Sequence, residues 1–105
     1  MNHAKYTLIV FIVNDGYADD AMAAARKAGA SGGTILHARG TGKKEDVKFF
    51  GIDLIPEKEM LLILEEREKA YQILESIQQL KYFKEPGSGI AFCIDTEKFI
   101  SLGVR

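Results

Sequence analysis

Three glycine-containing turns are the segments of this sequence most suited to binding chemistry. They are Gly32-Gly33-Thr34, Gly40-Thr41-Gly42 and Pro86-Gly87-Ser88-Gly89. Backbone without side chains can surround an anion with N–H donors, so such turns can form a phosphate cradle. Short glycine pairs are also common in ordinary turns, and neither of the two later turns opens a helix directly after a strand, as a dinucleotide fingerprint must. Spacing alone therefore favours plain turns.

The other reactive side chains are isolated along the chain. His37 has no cysteine or paired carboxylate beside it in the sequence, and a lone histidine of this kind is more often structural than a metal ligand. Cys93 lies in an apolar run and is interpreted as a small core residue. The closely spaced acids Asp15, Asp19 and Asp20 are explained by the favourable dipole at a helix start. We therefore predict no catalytic residue and no metal site.

The composition restricts the class of protein. The chain has 105 residues, of which 47% are apolar and 28% charged, as expected for one folded domain. A net charge of -1 lacks the basic excess of a general nucleic-acid binder, so we expect no nucleic-acid partner. One cysteine excludes an intramolecular disulfide, and the apolar run from Tyr6 to Val13 is too short to span a bilayer. These features favour the cytoplasm.

The hydrophobic pattern predicts the order strand, helix, strand, strand, helix, strand. Strands are expected at 7–13, 34–39 (half-buried), 60–64 and 90–94, helices at about 17–28 and 68–80, and a short terminal strand at 99–102. Residues 40–59 predict a long exposed loop, and residues 65–69 a solvated turn between strand and helix. This order is the split βαβ unit of the ferredoxin-like α+β fold, a βαββαβ sandwich with an antiparallel four-stranded sheet.

The first and third strands are apolar on both alternating faces. In the ferredoxin-like arrangement both helices cover one face of the sheet, and the other face presents Leu8, Val10 and Ile12, or their alternates, to water. Such an apolar patch is larger than a soluble monomer normally exposes. We therefore expect a partner subunit to cover it, and closed symmetric homo-oligomers are the common solution.

The order and spacing of the glycine turns resemble those of the PII signal-transduction proteins (nitrogen regulatory P-II type) and their PII-like relatives. The resemblance runs through residues 29–34, residues 39–42, a long loop, and residues 87–89 before an apolar strand and Asp95. It implies a single ferredoxin-like domain over 1–105, a homotrimer with nucleotide sites between subunits, and a mobile T-loop at about 42–56. The implied role is regulatory and not enzymatic, with the T-loop docking on a membrane transporter or a metabolic enzyme.

The resemblance also implies roles for individual residues. Thr34 matches a threonine near the adenine, and Gly40 and Gly42 match the T-loop base near the phosphates. Gly87 and Gly89 match the glycine turn that faces the phosphates. The remaining expected anion contacts are Arg39, Lys43 and Ser88, and the expected partner contacts in the loop are Lys44, Phe49 and Phe50. The two phenylalanines are interpreted either as anchors onto the protein's own trimer or as contacts for the partner.

Departures from the family pattern change the expected ligand. Nitrogen-sensing members have a lysine after the late glycine turn and two arginines in the terminal strand, where this chain has Ile90, Ser101 and Gly103. A triphosphate needs charge-assisted donors, so these changes weaken the expected ATP affinity. Lys43 and Lys44 replace the glutamine linked to metal and 2-oxoglutarate, which argues against ATP with 2-oxoglutarate. The expected ligand is a small anion, with an adenine nucleotide as one candidate. Alternative cations are Arg39, Lys43, Lys44 and Lys98.

Three other functions are compatible with this fold class. The alternative we retain is an acylphosphatase-like small hydrolase, although the turn at 14–17 lacks the arginine expected to grip a phosphate. An RNA-binding module is disfavoured because the central strands offer only Phe11 for stacking. A metal chaperone would need a Cys-x-x-Cys pair, which is absent from the sequence.

Overall fold

Four of the strands in this computed structural model form one antiparallel sheet, in the order β2-β5-β1-β6. The structure describes residues 5–41, 48–49, 52–53 and 57–103. The elements are β1 (Tyr6–Asn14), α1 (Ala18–Lys27), β2 (Thr34–Arg39), β3 (Lys48–Phe49), β4 (Ile52–Asp53), β5 (Glu57–Glu66), α2 (Arg67–Gln78), a 3₁₀ helix (Lys81–Lys84) and β6 (Gly89–Thr96). Strands β3 and β4 pair only with each other. The predicted ferredoxin-like α+β fold is confirmed.

Both α-helices pack on one face of the sheet because their apolar residues recur at helical spacing. The core between the layers contains Ile9 and Phe11 of β1, Leu61 and Ile63 of β5, and Ile73 of α2, all of them buried. The buried residues of α1 are mostly alanines, whereas those of α2 include the larger Ile73 and Ile77. Neither α-helix in the described part of the chain combines the length and apolar character needed to cross a bilayer.

The opposite face of the sheet is apolar and has no cover within the described residues. Strand pairing aligns its side chains in three rows: Leu36, Met60, Ile12 and Ile90; Thr34, Leu62, Val10 and Phe92; and Leu64, Leu8 and Ile94. Exposure is greatest on the edge strand β6, where Ile90 is 61% and Ile94 50% exposed. The expected apolar open face is therefore present, and we refer to these three rows as the open face.

Strand β5 differs most from its prediction. It begins at Glu57 instead of Met60 and continues through Glu66, so the predicted loop to Glu59 is too long at its end. The predicted solvated turn at 65–69 is also wrong, because Glu65 is buried in β5 and α2 begins at Arg67. Glu59 and Glu65 extend the strand because their carboxylates accept hydrogen bonds from turns that are distant in the sequence. The pattern of apolar residues does not indicate such hydrogen bonds.

Two further strand predictions fail at the edges of the sheet. The expected terminal strand at 99–102 is not formed, and the Phe99 ring instead packs edge-on against Tyr6, with ring centroids 4.5 Å apart. Strand β2 is mostly exposed, although its pattern predicted a half-buried strand. As an edge strand, β2 pairs only with β5, so it has less of the helix layer over it.

Candidate functional site

Two of the three predicted anion-binding turns, those at Gly40 and at 87–89, lie at the same end of the sheet but on its two opposite edge strands. β2 ends at Arg39, opposite Glu57 of β5, and β6 begins at Gly89, opposite Val13 of β1. Three interstrand spacings, or about 14 Å, therefore separate the two halves. One chain does not bring Gly40 together with the turn at 87–89.

Asn14, the last residue of β1, links the two halves through its side chain. Its Nδ2 donates to the Tyr82 hydroxyl (2.7 Å) and to the Gly87 carbonyl (3.5 Å), while its Oδ1 accepts from the Lys58 ammonium. The Lys58 side chain crosses Gly40 so closely that a Cβ on Gly40 would lie 2.9 Å from the Lys58 Cε. Lys58 therefore places a cation between the two glycine turns.

Nothing in the sequence pattern singled out Lys58 as a site residue. Its position follows from the register of β5, in which Lys58 lies opposite both Ala38 of β2 and Asn14 of β1. The charged run at 57–59 predicted a loop, so neither pairing was expected. Its closeness to Pro56, a common strand boundary, is the only local signal that a strand starts here.

The turn at 87–89 is fixed by packing against β1. A Cβ on Gly89 would lie 2.6 Å from the Ile12 carbonyl oxygen, so only glycine allows this approach. The Ser88 hydroxyl belongs to a buried residue, and the Ser88 N–H donates to the Glu85 carbonyl at 3.3 Å. In the single chain the Ser88 N–H is therefore already paired within the turn, and Ser88 and Gly89 both line a cavity beside it.

Stacked aromatic rings hold the 3₁₀ helix that precedes this turn. The Tyr17 and Tyr82 rings are parallel to within 4°, with centroids 3.6 Å apart, and Phe83 meets Tyr82 edge-on. Because Tyr17 directly precedes α1, this stack ties the 87–89 half of the site to the helix layer. The stack also positions the Tyr82 hydroxyl, which accepts a hydrogen bond from the Asn14 Nδ2.

The other predicted site residues are spread along the molecule. Thr34 begins β2 opposite Leu62, five residues and about 17 Å from Arg39, which is exposed. Lys98 follows β6 at the far end of the sheet. Gly42, Lys43, Lys44 and Phe50 lie outside the described residues, as does most of the expected T-loop at 42–56, and Phe49 is placed only as backbone of β3.

A buried glutamate, Glu59, anchors the turn between β1 and α1 at this same end of the sheet. Its Oε1 accepts from the backbone N–H groups of Gly16 (2.9 Å) and Ala18 (3.0 Å). Helix α1 has no hydrogen bond from the side chain of its own N-cap residue, Tyr17. Glu59 therefore supplies an acceptor for the first amides of the helix, where the dipole also favours a negative charge.

His37 and Asp15 lie beside Glu59. Pairing of β2 with β5 sets His37 opposite Glu59, and the His37 Nδ1 is 3.8 Å from the Asp15 Oδ1. The three side chains bring one nitrogen and two carboxylate oxygens within 4.8 Å of one another. The interpretation of His37 as a histidine without nearby carboxylates is therefore wrong, because it considered neighbours in the sequence and not across the sheet.

A second buried glutamate, Glu65, lies at the opposite end of β5. Its Oε2 accepts from the Ser31 N–H (2.9 Å) and the Ser31 hydroxyl (3.2 Å). The Lys69 ammonium lies 4.0 Å from its other oxygen. Glu65 thus holds the turn between α1 and β2 through its hydrogen bonds to Ser31, and the Lys69 ammonium lies near its negative charge.

Cys93 lies on β6, partly buried against the core. Burial, with a contribution from the nearby Asp95 carboxylate, raises the pKa of the Cys93 thiol above its ordinary value. The thiol therefore stays protonated at neutral pH and is a poor nucleophile. This environment agrees with the interpretation of Cys93 as a packing residue.

Comparison with known proteins identifies the family. The family described as Nitrogen regulatory protein P-II matches residues 6–103. The crystal structure of Arabidopsis thaliana PII bound to citrate shares the fold, with a TM-score of 0.70 and 22% identity over 89% of this chain and 78% of that chain. No curated protein matched the sequence. The acylphosphatase-like alternative receives no support from these findings. The predicted resemblance is confirmed, and the chain belongs to the nitrogen regulatory protein P-II family of ligand-sensing regulators.

Proposed function

We propose that this chain forms a homotrimer that binds a small anionic ligand between copies and reports its presence through the segment at 42–56. The observation that carries this proposal is the position of the two glycine turns, which share one end of the sheet but lie on opposite edge strands. A second copy whose β6 turn approaches Gly40 would complete the cradle. The site would then exist only in the assembly.

The open face supports assembly of identical copies. Its rows of aliphatic side chains run across all four strands, and several are more than one-third exposed. Contiguous apolar surface of this extent is usually covered in the functional protein. Closed rotational symmetry buries the same surface on every copy and places the same pair of edges at every interface.

The described cations favour a ligand with less negative charge than a triphosphate. Lys58 lies against Gly40 and Arg39 ends β2, whereas the exposed Ile90 follows the late turn. Each ligand oxygen needs a charge-assisted partner to offset its loss of water. Adenine mono- or diphosphates fit this charge, and so does a polycarboxylate such as the citrate bound by the related Arabidopsis protein.

Ligand binding and loop position would be linked because both involve the end of β2. Gly40 lies two residues before the start of the segment at 42–56, and Glu57 directly follows it. A ligand that contacts Gly40 favours one loop arrangement by its difference in affinity for the two, typically about 1–3 kcal/mol. The loop would then regulate a membrane transporter or a metabolic enzyme in the cytoplasm, with no chemical turnover by this chain.

The proposal is tested by measuring the oligomeric state and by complementation between two variants, each of which lacks one half of the site. Sedimentation velocity at micromolar concentration should show a trimer. Calorimetric titration with AMP, ADP, ATP and citrate should detect a ligand, and Arg39→Ala and Gly87→Asp should each weaken it at least about tenfold by removing a cation or adding a carboxylate to the cradle. Asp tolerates positive φ better than most residues, and the space beside Gly87, whose φ is +75°, is open.

Mixing the two variants distinguishes a shared site from a site within one chain. Co-expressed Arg39→Ala and Gly87→Asp copies should recover about a quarter of the sites, since one interface in four joins two intact halves. Gly29→Asp, at another positive-φ glycine near the far end of the sheet, is the matched control and should bind normally. A stable monomer, or no recovery in the mixture, would overturn the shared site.

A further inference from the structure

The structure points to a divalent transition-metal site at Asp15, His37 and Glu59, and we propose that it binds Zn²⁺. The side chains come from three separate places: the turn after β1, the edge strand β2 and the central strand β5. Their ligand atoms lie within 4.8 Å of one another, near enough for side-chain rotation to bring them around one ion. The site goes beyond the proposed anion site and uses none of its residues.

Glu59 provides a fixed starting point for this site. The residue is 7% exposed, and its Oε1 is held by the amides of Gly16 and Ala18, so its carboxylate has a defined position and orientation. A metal ligand oriented by such outer hydrogen bonds is already ordered before the ion arrives. Carboxylates can accept at both oxygens, so the helix contact leaves capacity for a metal.

His37 and Asp15 are free to complete the coordination. Their side chains are 82% and 56% exposed, and their closest polar atoms are 3.8 Å apart. Tetrahedral Zn²⁺ has bonds of about 2.0–2.2 Å to nitrogen and oxygen, which requires ligand atoms about 3.4 Å apart. Small rotations of these two exposed side chains toward the fixed Glu59 provide that spacing, and water can occupy the fourth position.

The charge at this cluster also calls for a cation. Two carboxylates converge within the cluster, and no Lys or Arg forms an ion pair with Glu59 among the described residues. The imidazole of His37 can offer a nitrogen lone pair to a metal ion. A divalent ion would balance the charge of both carboxylates. At the other end of β5, the Lys69 ammonium balances the single charge of Glu65.

The donor set selects the class of ion. An imidazole nitrogen with two carboxylates suits Zn²⁺ and similar divalent transition-metal ions, whereas Mg²⁺ and Ca²⁺ prefer oxygen donors alone. With three protein ligands and a water, the arrangement has an open coordination position. We therefore expect Zn²⁺ to bind far more tightly than Mg²⁺.

The location connects the metal to the segment at 42–56. His37 lies two residues before Arg39 at the end of β2, and the Asp15 N–H donates to the Glu57 carbonyl at the start of β5 (3.1 Å). An ion held by Asp15, His37 and Glu59 would thus join both strands that flank the segment. Zinc would act as a second effector at a site separate from that of the anionic ligand, and both would act on the same segment.

The test is zinc affinity of the untagged full chain, measured by competition with a chromogenic chelator in the absence of nucleotide. Wild type should bind one Zn²⁺ per chain. His37→Gln and Asp15→Asn should each weaken binding at least about tenfold by removing one ligand. Both side chains are exposed, so these variants should fold normally. The same chelator assay with Mg²⁺ in excess should leave the zinc affinity unchanged.

Three controls separate this site from other zinc ligands. Asp19→Asn removes a nearby acid outside the cluster, His3→Gln removes the other histidine, and Cys93→Ser removes the thiol; all three should keep the wild-type affinity. Unchanged affinity in His37→Gln, or no zinc binding by the wild type, would overturn the proposal. Arg39→Ala should keep zinc binding intact, so failure of the anion site and failure of the metal site are distinguishable.

Discussion

The two buried glutamates of β5 occupy equivalent positions at opposite ends of one strand, yet their charges are balanced differently. Both face the helix layer, and both accept hydrogen bonds from a turn next to α1. Glu65 has a serine hydroxyl and the Lys69 ammonium around it. Glu59 accepts only from backbone amides among the described residues, and its carboxylate lies close to the side chains of Asp15 and His37.

The two glutamates differ in whether the chain supplies everything that a buried carboxylate needs. A buried carboxylate needs hydrogen bonds and an opposite charge to offset its loss of water. Glu65 obtains both from the chain itself. Glu59 obtains the hydrogen bonds but lacks a paired cation within the described residues, so its end of the strand is the one where an added ion brings a gain.

The largest expected effect is the loss of the Glu59 hydrogen bonds. Glu59→Ala leaves the amide of the fully buried Ala18 without its acceptor, and we expect a loss of about 2–4 kcal/mol in the free energy of unfolding. Glu65→Ala should cost about 1–3 kcal/mol, because exposed Ser31 can turn to water. Urea unfolding at one fixed subunit concentration measures both.

Glutamine variants provide the control for this pair. Glu59→Gln and Glu65→Gln keep an acceptor oxygen of the same shape, so they should recover most of the stability lost by the alanine variants. Equal losses for Glu59→Ala and Glu65→Ala would show that the two turns do not differ in their need for an internal acceptor.

An effect of intermediate size is expected when zinc is added, because only the Glu59 end of β5 should respond to it. Zinc at one hundred times its dissociation constant should stabilise wild type and Glu65→Gln by about 2.7 kcal/mol, because it binds only the folded state. Glu59→Gln should gain much less, since an amide is a poor ligand for Zn²⁺. Urea midpoints with and without zinc test this difference, and equal gains in the two glutamine variants would contradict it.

The smallest effect concerns repulsion at the Glu59 end. At pH 8 and without metal, Asp15→Asn should raise the free energy of unfolding by about 0.2–1 kcal/mol, because it removes a half-exposed negative charge beside Glu59. Asp19→Asn, in the first turn of α1, should instead be neutral or slightly destabilising. A destabilised Asp15→Asn protein would mean that the two carboxylates do not repel measurably.

The fold was predictable where periodicity reports burial directly. Strands β1 and β2 and both helices follow their predicted bounds within two residues, because β1 is a continuous apolar run and the apolar residues of both helices repeat with the helical period. The ends of β5 were not predictable, because Glu59 and Glu65 are buried by hydrogen bonds to turns that lie 41–43 and 34 residues away in the sequence, respectively. Apolar patterning does not register such partners.

The candidate site was predictable in its glycine turns and in Arg39. The resemblance named Gly40, Gly87 and Gly89, which lie at one end of the sheet. Lys58 and the group around His37 depend on which residues of β2, β5 and β1 lie opposite each other. Register is a property of the assembled sheet, so no single stretch of sequence contains it.

The composition of the open face has a consequence for a cell that makes more than one chain of this family. Nearly all of its side chains are aliphatic, with Thr34 as the single polar group in the three rows. Aliphatic surfaces adhere without directional bonds, so they discriminate poorly between related sequences. If copies assemble through the open face as proposed, a related chain could enter the same assembly, and the relative expression of the two genes would set which combinations form.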